Sequence, residues 1–157
     1  MFNTRKRYIM DVLAKQVNDL LKNQYELGFQ YDEEKAEFYF SIDMNHVCLD
    51  VRIICREADK QVLMFAYVPI KIQESQYSAV LRLINKIQMD NFDSVSLFIN
   101  ENCNQLMSQS ALNVGADFRI DEEVFRFAFY PLVSALDDHF IEFIRIISAG
   151  DEEQVPD

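Results

Sequence analysis

Phe38-Tyr39-Phe40-Ser41-Ile42, followed by Val47-Cys48-Leu49-Asp50-Val51-Arg52-Ile53, is the stretch from which the fold is read. Apolar residues recur at every second place, with Tyr39, Ser41, Cys48, Asp50 and Arg52 between them. Successive side chains on a strand point to opposite faces, so this alternation predicts two half-buried strands, joined at Asp43-Met44-Asn45-His46. The next run, Val62 to Val68, is apolar almost throughout, which predicts a central strand covered on both sides. Pro69 should close it, because proline gives no N–H to a ladder.

Working outward, Ile9, Val12, Leu13, Val17, Leu20 and Leu21 fall on one stripe and predict an amphipathic helix over about 8–24. Tyr77, Val80, Leu81, Ile84 and Ile87 predict a second over about 74–89. Two more strands are expected near 94–100 and 105–113, pairing as a hairpin around Asn100-Glu101-Asn102-Cys103-Asn104. Asp121 is a credible N-cap for a last helical region reaching about Ser148, kinked or divided by Pro131 and capped at Gly150. Helices separated by hairpin-linked strands indicate an α+β fold, an antiparallel five-stranded sheet with N-terminal, central and C-terminal helices packed on it. The expected layout is a basic extension at 1–7, one domain at 8–150 and an acidic disordered tail at 151–157.

A chain of 157 residues with a hydrophobic share of 50% is long and greasy enough for one well-filled core. Its net charge of -11 repels a phosphate backbone, so nucleic acid is not expected as a partner. Acidity gathers at the end, where residues 121–157 hold ten acids against two basic residues. Such a surface keeps the protein soluble, or lets it occupy basic sites on another protein. Cys48, Cys55 and Cys103 are odd in number and lack C-x-x-C spacing, which predicts reduced thiols and a cytoplasmic setting. No run of 18 apolar residues occurs, so no membrane span is expected.

Few residues offer chemistry. Gly28, Gly115 and Gly150 stand alone, so no phosphate-cradling loop forms, and His46 and His139 lie in no nucleophile motif. His46, Cys48 and Asp50 alternate on one strand face and could meet on a metal, yet structural zinc wants four ligands where three are at hand. The polar side of a half-buried strand explains them more simply. Asp138, His139 and Glu142 share a helical side, but their order and single occurrence do not match paired di-iron helices. No cofactor and no catalytic set are expected. The aromatics say more: Phe125, Phe127, Phe129 and Tyr130 point around more than one side of a helix. Either two helical layers of the same molecule bury them or a second chain covers them. Tyr39, Ile54 and Phe98, on the poorer faces of strands, raise the same question about the sheet. Tyr39, Ile54, Phe98, Phe125, Phe127 and Phe129 are therefore the candidate protein-interface residues.

Phe38-Tyr39-Phe40 with Val47-Cys48-Leu49-Asp50-Val51, the helix ending Leu81-Arg82-Leu83-Ile84-Asn85-Lys86-Ile87 and the late helix finishing at Ile147-Ser148-Ala149-Gly150 together resemble the YbjN domain family over residues 8–150. The fold of that family is similar to that of type III secretion chaperones. Two turns depart from the pattern: Met89-Asp90-Asn91 stands where the family often has a glycine, and Asn102-Cys103-Asn104 where it often has Asp-Gly. The resemblance brings no catalytic residues. It implies a non-enzymatic, chaperone-like or regulatory role, a protein partner and a homodimer. A small-molecule or metal-dependent activity around His46, Cys48 and Asp50 is the alternative.

Overall fold

A computed structural model of the protein describes residues 11–90 and 95–152. The basic extension expected at 1–7 and residues 153–157 of the acidic tail lie outside the described residues. Helix α1 (Val12–Asp19) runs on into a π-helical turn, Leu20–Gln24. Three hairpin-linked strands follow the short β1 (Gln30–Asp32): β2 (Glu37–Asp43), β3 (Cys48–Arg56) and β4 (Gln61–Lys71). A 3-10 turn at Glu74–Gln76 leads into α2 (Tyr77–Asp90), then come β5 (Ser96–Asn100), β6 (Gln105–Asn113), α3 (Glu122–Asp138) and α4 (Phe140–Glu152). All strands join one antiparallel sheet in the order β1-β2-β3-β4-β6-β5.

The α+β class stands, but the sheet has six strands rather than five. Gln30-Tyr31-Asp32 is too short to show a period of two and pairs only with Glu37–Tyr39. Strand β4 also passes Pro69, reaching Lys71 through a register irregularity between Tyr67 and Lys71. That bulge is where a proline without an N–H fits a ladder.

Alternation places the core on one side of the sheet. Phe38, Leu49, Ile53, Met64 and Leu106 point into it, and Leu13, Val17 and Leu21 come down from the first helical segment. Phe125, Leu132, Leu136 and Phe143 close it from α3 and α4, while Val80, Ile84 and Ile87 of α2 join the same cluster. Strand and helix are tied directly as well. Ser108 Oγ donates to the Leu132 carbonyl at 2.7 Å and Ser110 Oγ to the Ala128 carbonyl at 2.9 Å, so two buried hydroxyls on β6 fix the height of α3. Gln16 does similar work for the loop before α3, donating to the Phe118 carbonyl at 2.6 Å and accepting from the Ile120 N–H at 2.8 Å.

Asp121 caps α3 as expected, its carboxylate accepting from the Glu123 N–H at 2.9 Å. The helix does not break at Pro131, which lies inside it; the division falls at His139. The carbonyl that the proline deprives of a donor belongs to Phe127, a residue on the exposed side of the helix rather than in the core. Nor does Gly150 end the last helix, which continues to Glu152.

Candidate protein-interaction face

The opposite face of the sheet is built by the other half of each alternation. Strand register sets its side chains in rows. Ile54 lies beside Leu63, which lies beside Ala111; Arg52 is followed by Phe65 and Gln109; and Asp50 is followed by Tyr67, Met107 and Phe98. Leu63 and Met107 are each only 9% exposed, yet both stand outside the cluster that forms the core. Their neighbours on the same face shade them, and Ile54, Phe65, Tyr67 and Phe98 remain half-buried. The helices bury their apolar stripes against the first face. The central strand, expected to be covered on both sides, is therefore covered on one side alone by helices among the described residues.

One edge of this face is fixed electrostatically. Glu37, 6% exposed, receives Arg52 through Nη2 at 2.9 and 3.0 Å and through Nε at 3.2 Å, and the Tyr39 hydroxyl donates to the same carboxylate. Burial alone would raise the Glu37 carboxyl, but the hydrogen bonds from Arg52 and Tyr39 outweigh it and hold it below its ordinary value. The Arg52 guanidinium also lies 5.6 Å from the centre of the Tyr39 ring. Tyr39 is thus held in place at the rim of the apolar rows rather than left to move.

The six candidate interface residues divide. Tyr39, Ile54 and Phe98 share the open sheet face. Phe125 and Phe129 do not reach the surface: they are 0% and 3% exposed, stacked on each other at 5.8 Å and packed against Tyr25 at 5.9 and 5.4 Å. Phe40 lies 6.1 Å from Phe129. The inward side of α3 and the apolar face of β2 supply enough room for both rings, so of the two alternatives it is burial within their own molecule that holds for Phe125 and Phe129, which leave the set of candidate interface residues. Phe127 does face solvent at 62%, and with Val124 at 47% and Tyr130 at 64% it makes a separate stripe at steps of three.

His46, Cys48 and Asp50 are not assembled into a site. His46 sits in the turn before β3, where its backbone N–H donates to the buried Asp137 carboxylate at 2.7 Å. The Cys48 thiol is pushed up by its hydrogen bond to Asp43, by desolvation and by the charges of Asp43 and Asp50, which is the opposite of an activated nucleophile. Among the described residues no three His, Cys, Asp or Glu side chains are placed to hold a metal ion. His139 Nδ1 and Glu142 meet at 3.2 Å on the surface of α4. None of the described helices is long and apolar enough to cross a membrane.

Phe65, Tyr67, Leu63 and Met107 were not singled out by sequence, although all four lie on this face. Leu63, Phe65 and Tyr67 occur in a run apolar at almost every position, where alternation is lost and one face cannot be told from the other, while Met107 lies in the largely polar Gln105–Asn113, whose few apolar residues show no clear period of two.

No protein-family model matches the sequence, and no curated protein matches it. Solved structures do match its fold. A chain of the HopA1-SchA chaperone-effector complex is similar with a TM-score of 0.57 at 11% identity, covering 81% of this chain and 92% of the other. A chain of the ExsC-ExsE complex gives 0.53 at 14% identity with the same coverages. YbjN from E. coli gives 0.52 at 14% identity, covering 94% of this chain and 98% of its own. The chain has a YbjN-like fold, similar to that of type III secretion chaperones.

Proposed function

We propose that this protein is a non-enzymatic, cytoplasmic protein-binding module that acts as a homodimer and holds a partner chain on the open face of its sheet. The observation that carries the reading is the set of apolar rows, Ile54-Leu63, Phe65 and Tyr67-Met107-Phe98, lying outside the core and rimmed by the Tyr39-Glu37-Arg52 cluster. Contiguous apolar surface with aromatic anchors and a polar rim is what protein interfaces are made of. The fold supports it too, since two similar structures are complexes, one of them named as chaperone with effector.

The test pairs Phe65→Ser with Phe98→Ser in one variant, with circular dichroism to verify the fold. Wild type should sediment as a dimer and co-purify with a protein partner at native expression, and the variant should lose the partner. A strict monomer that co-purifies with nothing, or a variant that keeps the whole association, contradicts the proposal.

A further inference from the structure

The strand register brings three polar side chains of the open face into one line. Ser41 on β2 pairs with Asp50 on β3, and Asp50 with Tyr67 on β4. Tyr39, two residues before Ser41, stands on the same face one row away. A cleft of about 450 Å³ opens over this line, with Gly28, Phe29, Tyr39, Ser41, Asp50 and Tyr67 in its wall. Nothing lies within 4 Å of where a Cβ on Gly28 would stand, so the cleft is open on that side. Sites for small molecules run from roughly 300 to 1,000 Å³, and the space suits a compact one. Its chemistry is one-sided. Asp50 accepts from Ser41 Oγ at 2.7 Å through one carboxylate oxygen, and among the described residues nothing donates to the other and no salt bridge reaches either. Arg52, two residues along β3 on this face, is bound by Glu37 through Nε and Nη2, so its charge is already matched. The main chain adds a second acceptor. Cys55 N–H donates to the Ala36 carbonyl and Met44 N–H to the Val47 carbonyl, each at 2.9 Å, so even-numbered residues of β2 turn their N–H and C=O toward β3. Ser41 therefore turns its own outward, past the end of β1. The rings differ in what they carry. Arg52 lies 5.6 Å from the centre of the Tyr39 ring and Lys22 5.7 Å from that of Phe29, whereas no cation lies over the Tyr67 ring among the described residues. Burial, and then the charge of Asp50, push the Tyr67 phenol up, as expected of a ring and a carboxylate that are neighbours.

We infer that this cleft binds an alkylguanidinium group, with its N–H edge on Asp50 and the Ser41 carbonyl and its plane against the Tyr67 ring. Two acceptors beside an aromatic face call for a ligand that donates and carries positive charge. A guanidinium offers five donors and a flat, weakly hydrated surface, whereas an ammonium is compact and holds its water. An anion would meet the Asp50 carboxylate. The site lies beside the apolar rows and does not depend on a protein being held there.

The probe is agmatine, titrated into the isotope-labelled full chain and followed by amide resonances. Shifts should centre on Ser41, Asp50 and Tyr67 and saturate at about millimolar ligand or below, the range for so small a molecule. Putrescine, with an ammonium in place of the guanidinium and the same total charge, should bind several-fold more weakly. Asp50→Asn, which can still accept from Ser41, should weaken agmatine by about tenfold or more. Tyr67→Leu should weaken it about two- to fivefold, and Tyr67→Phe should leave it unchanged. Circular dichroism verifies the fold of each variant. N-acetylarginine methylamide separates the sources of the group: binding as tight as agmatine makes an arginine side chain of a protein an equal occupant, and exclusion reserves the cleft for a free molecule. Agmatine and putrescine bound alike, shifts centred elsewhere on the acidic surface, no saturation by either guanidinium, or indifference to Asp50→Asn overturns the inference.

Discussion

Two phenylalanines two residues apart on α3 should behave as if they belonged to different proteins. Phe125 is 0% exposed and stacks between Phe129 at 5.8 Å and Tyr25 at 5.9 Å, whereas Phe127 is 62% exposed, with the Arg126 guanidinium 6.0 Å from the centre of its ring. Truncating a buried phenylalanine to alanine removes its transfer free energy and leaves a cavity, about 3–5 kcal/mol in all. For a domain of this size each kcal/mol lowers Tm by about 2–4 °C, so Phe125→Ala should fall by roughly 6–20 °C. Phe127→Ala should lose less than about 1 kcal/mol, as surface changes do. Urea unfolding at low micromolar concentration measures both, with an unchanged m-value needed for the comparison. Equal losses would refute the assignment of one ring to the interior and the other to the surface. A Phe127→Ala deficit that grows with protein concentration would instead place Phe127 in a contact between copies.

Glu37→Gln should cost about 1 kcal/mol at neutral pH, since Arg52 and Tyr39 lose their anionic acceptor and Arg52 remains partly solvated. The Glu37 carboxyl is held below the ordinary 4.5, so its contribution is complete above that pH and fades as pH falls through the depressed folded value; wild-type and variant denaturation curves should converge only in acid, and a gap that widened there would be contrary. With a maleimide at pH 7.5, exposed Cys48 should react while Cys55, 6% exposed and pushed up to about 12 by burial and by the charges of Glu57 and Asp11, should wait for unfolding; mass spectrometry of the labelled peptides would expose the reverse order. Gln16→Ala leaves the Phe118 carbonyl and the Ile120 N–H without their partner and should destabilise by roughly 1–3 kcal/mol, with Gln16→Glu recovering only the acceptor half. Equal stability of Gln16→Ala and wild type by thermal melting would show that the clamp carries no weight.

Alternation made β2 and β3 legible because each has one face on the core and one on water, so sequence and burial share a period of two. The same logic failed for β4. Leu63, Phe65 and Tyr67 are as apolar as Val62, Met64 and Ala66, and a strand greasy on both sides looks the same whether or not a helix covers its second face. β1 left no mark because three residues make one step and a half of a pattern. The division at His139 was hidden for a different reason: Pro131 is the stronger breaker by local chemistry, but the exposed position of Phe127 four residues before it and the serine anchors from β6 let the helix pass through it. Tyr39, Ile54 and Phe98, chosen because they seemed wasted on the wet side of a strand, do share one face of the sheet. Phe125 and Phe129 were misplaced because counting rings on a helix says nothing of Tyr25 and Phe40 arriving from elsewhere to enclose them.

The most direct test of the open-face assignment is photocrosslinking from single sites in the intact protein. A benzoylphenylalanine at position 65 or 98 should join the chain to its partner, while one at Lys15, on the exposed side of α1, should not. Crosslinks to partner from Lys15 and none from 65 or 98 would contradict the claim that the sheet's uncovered face is where another protein is held.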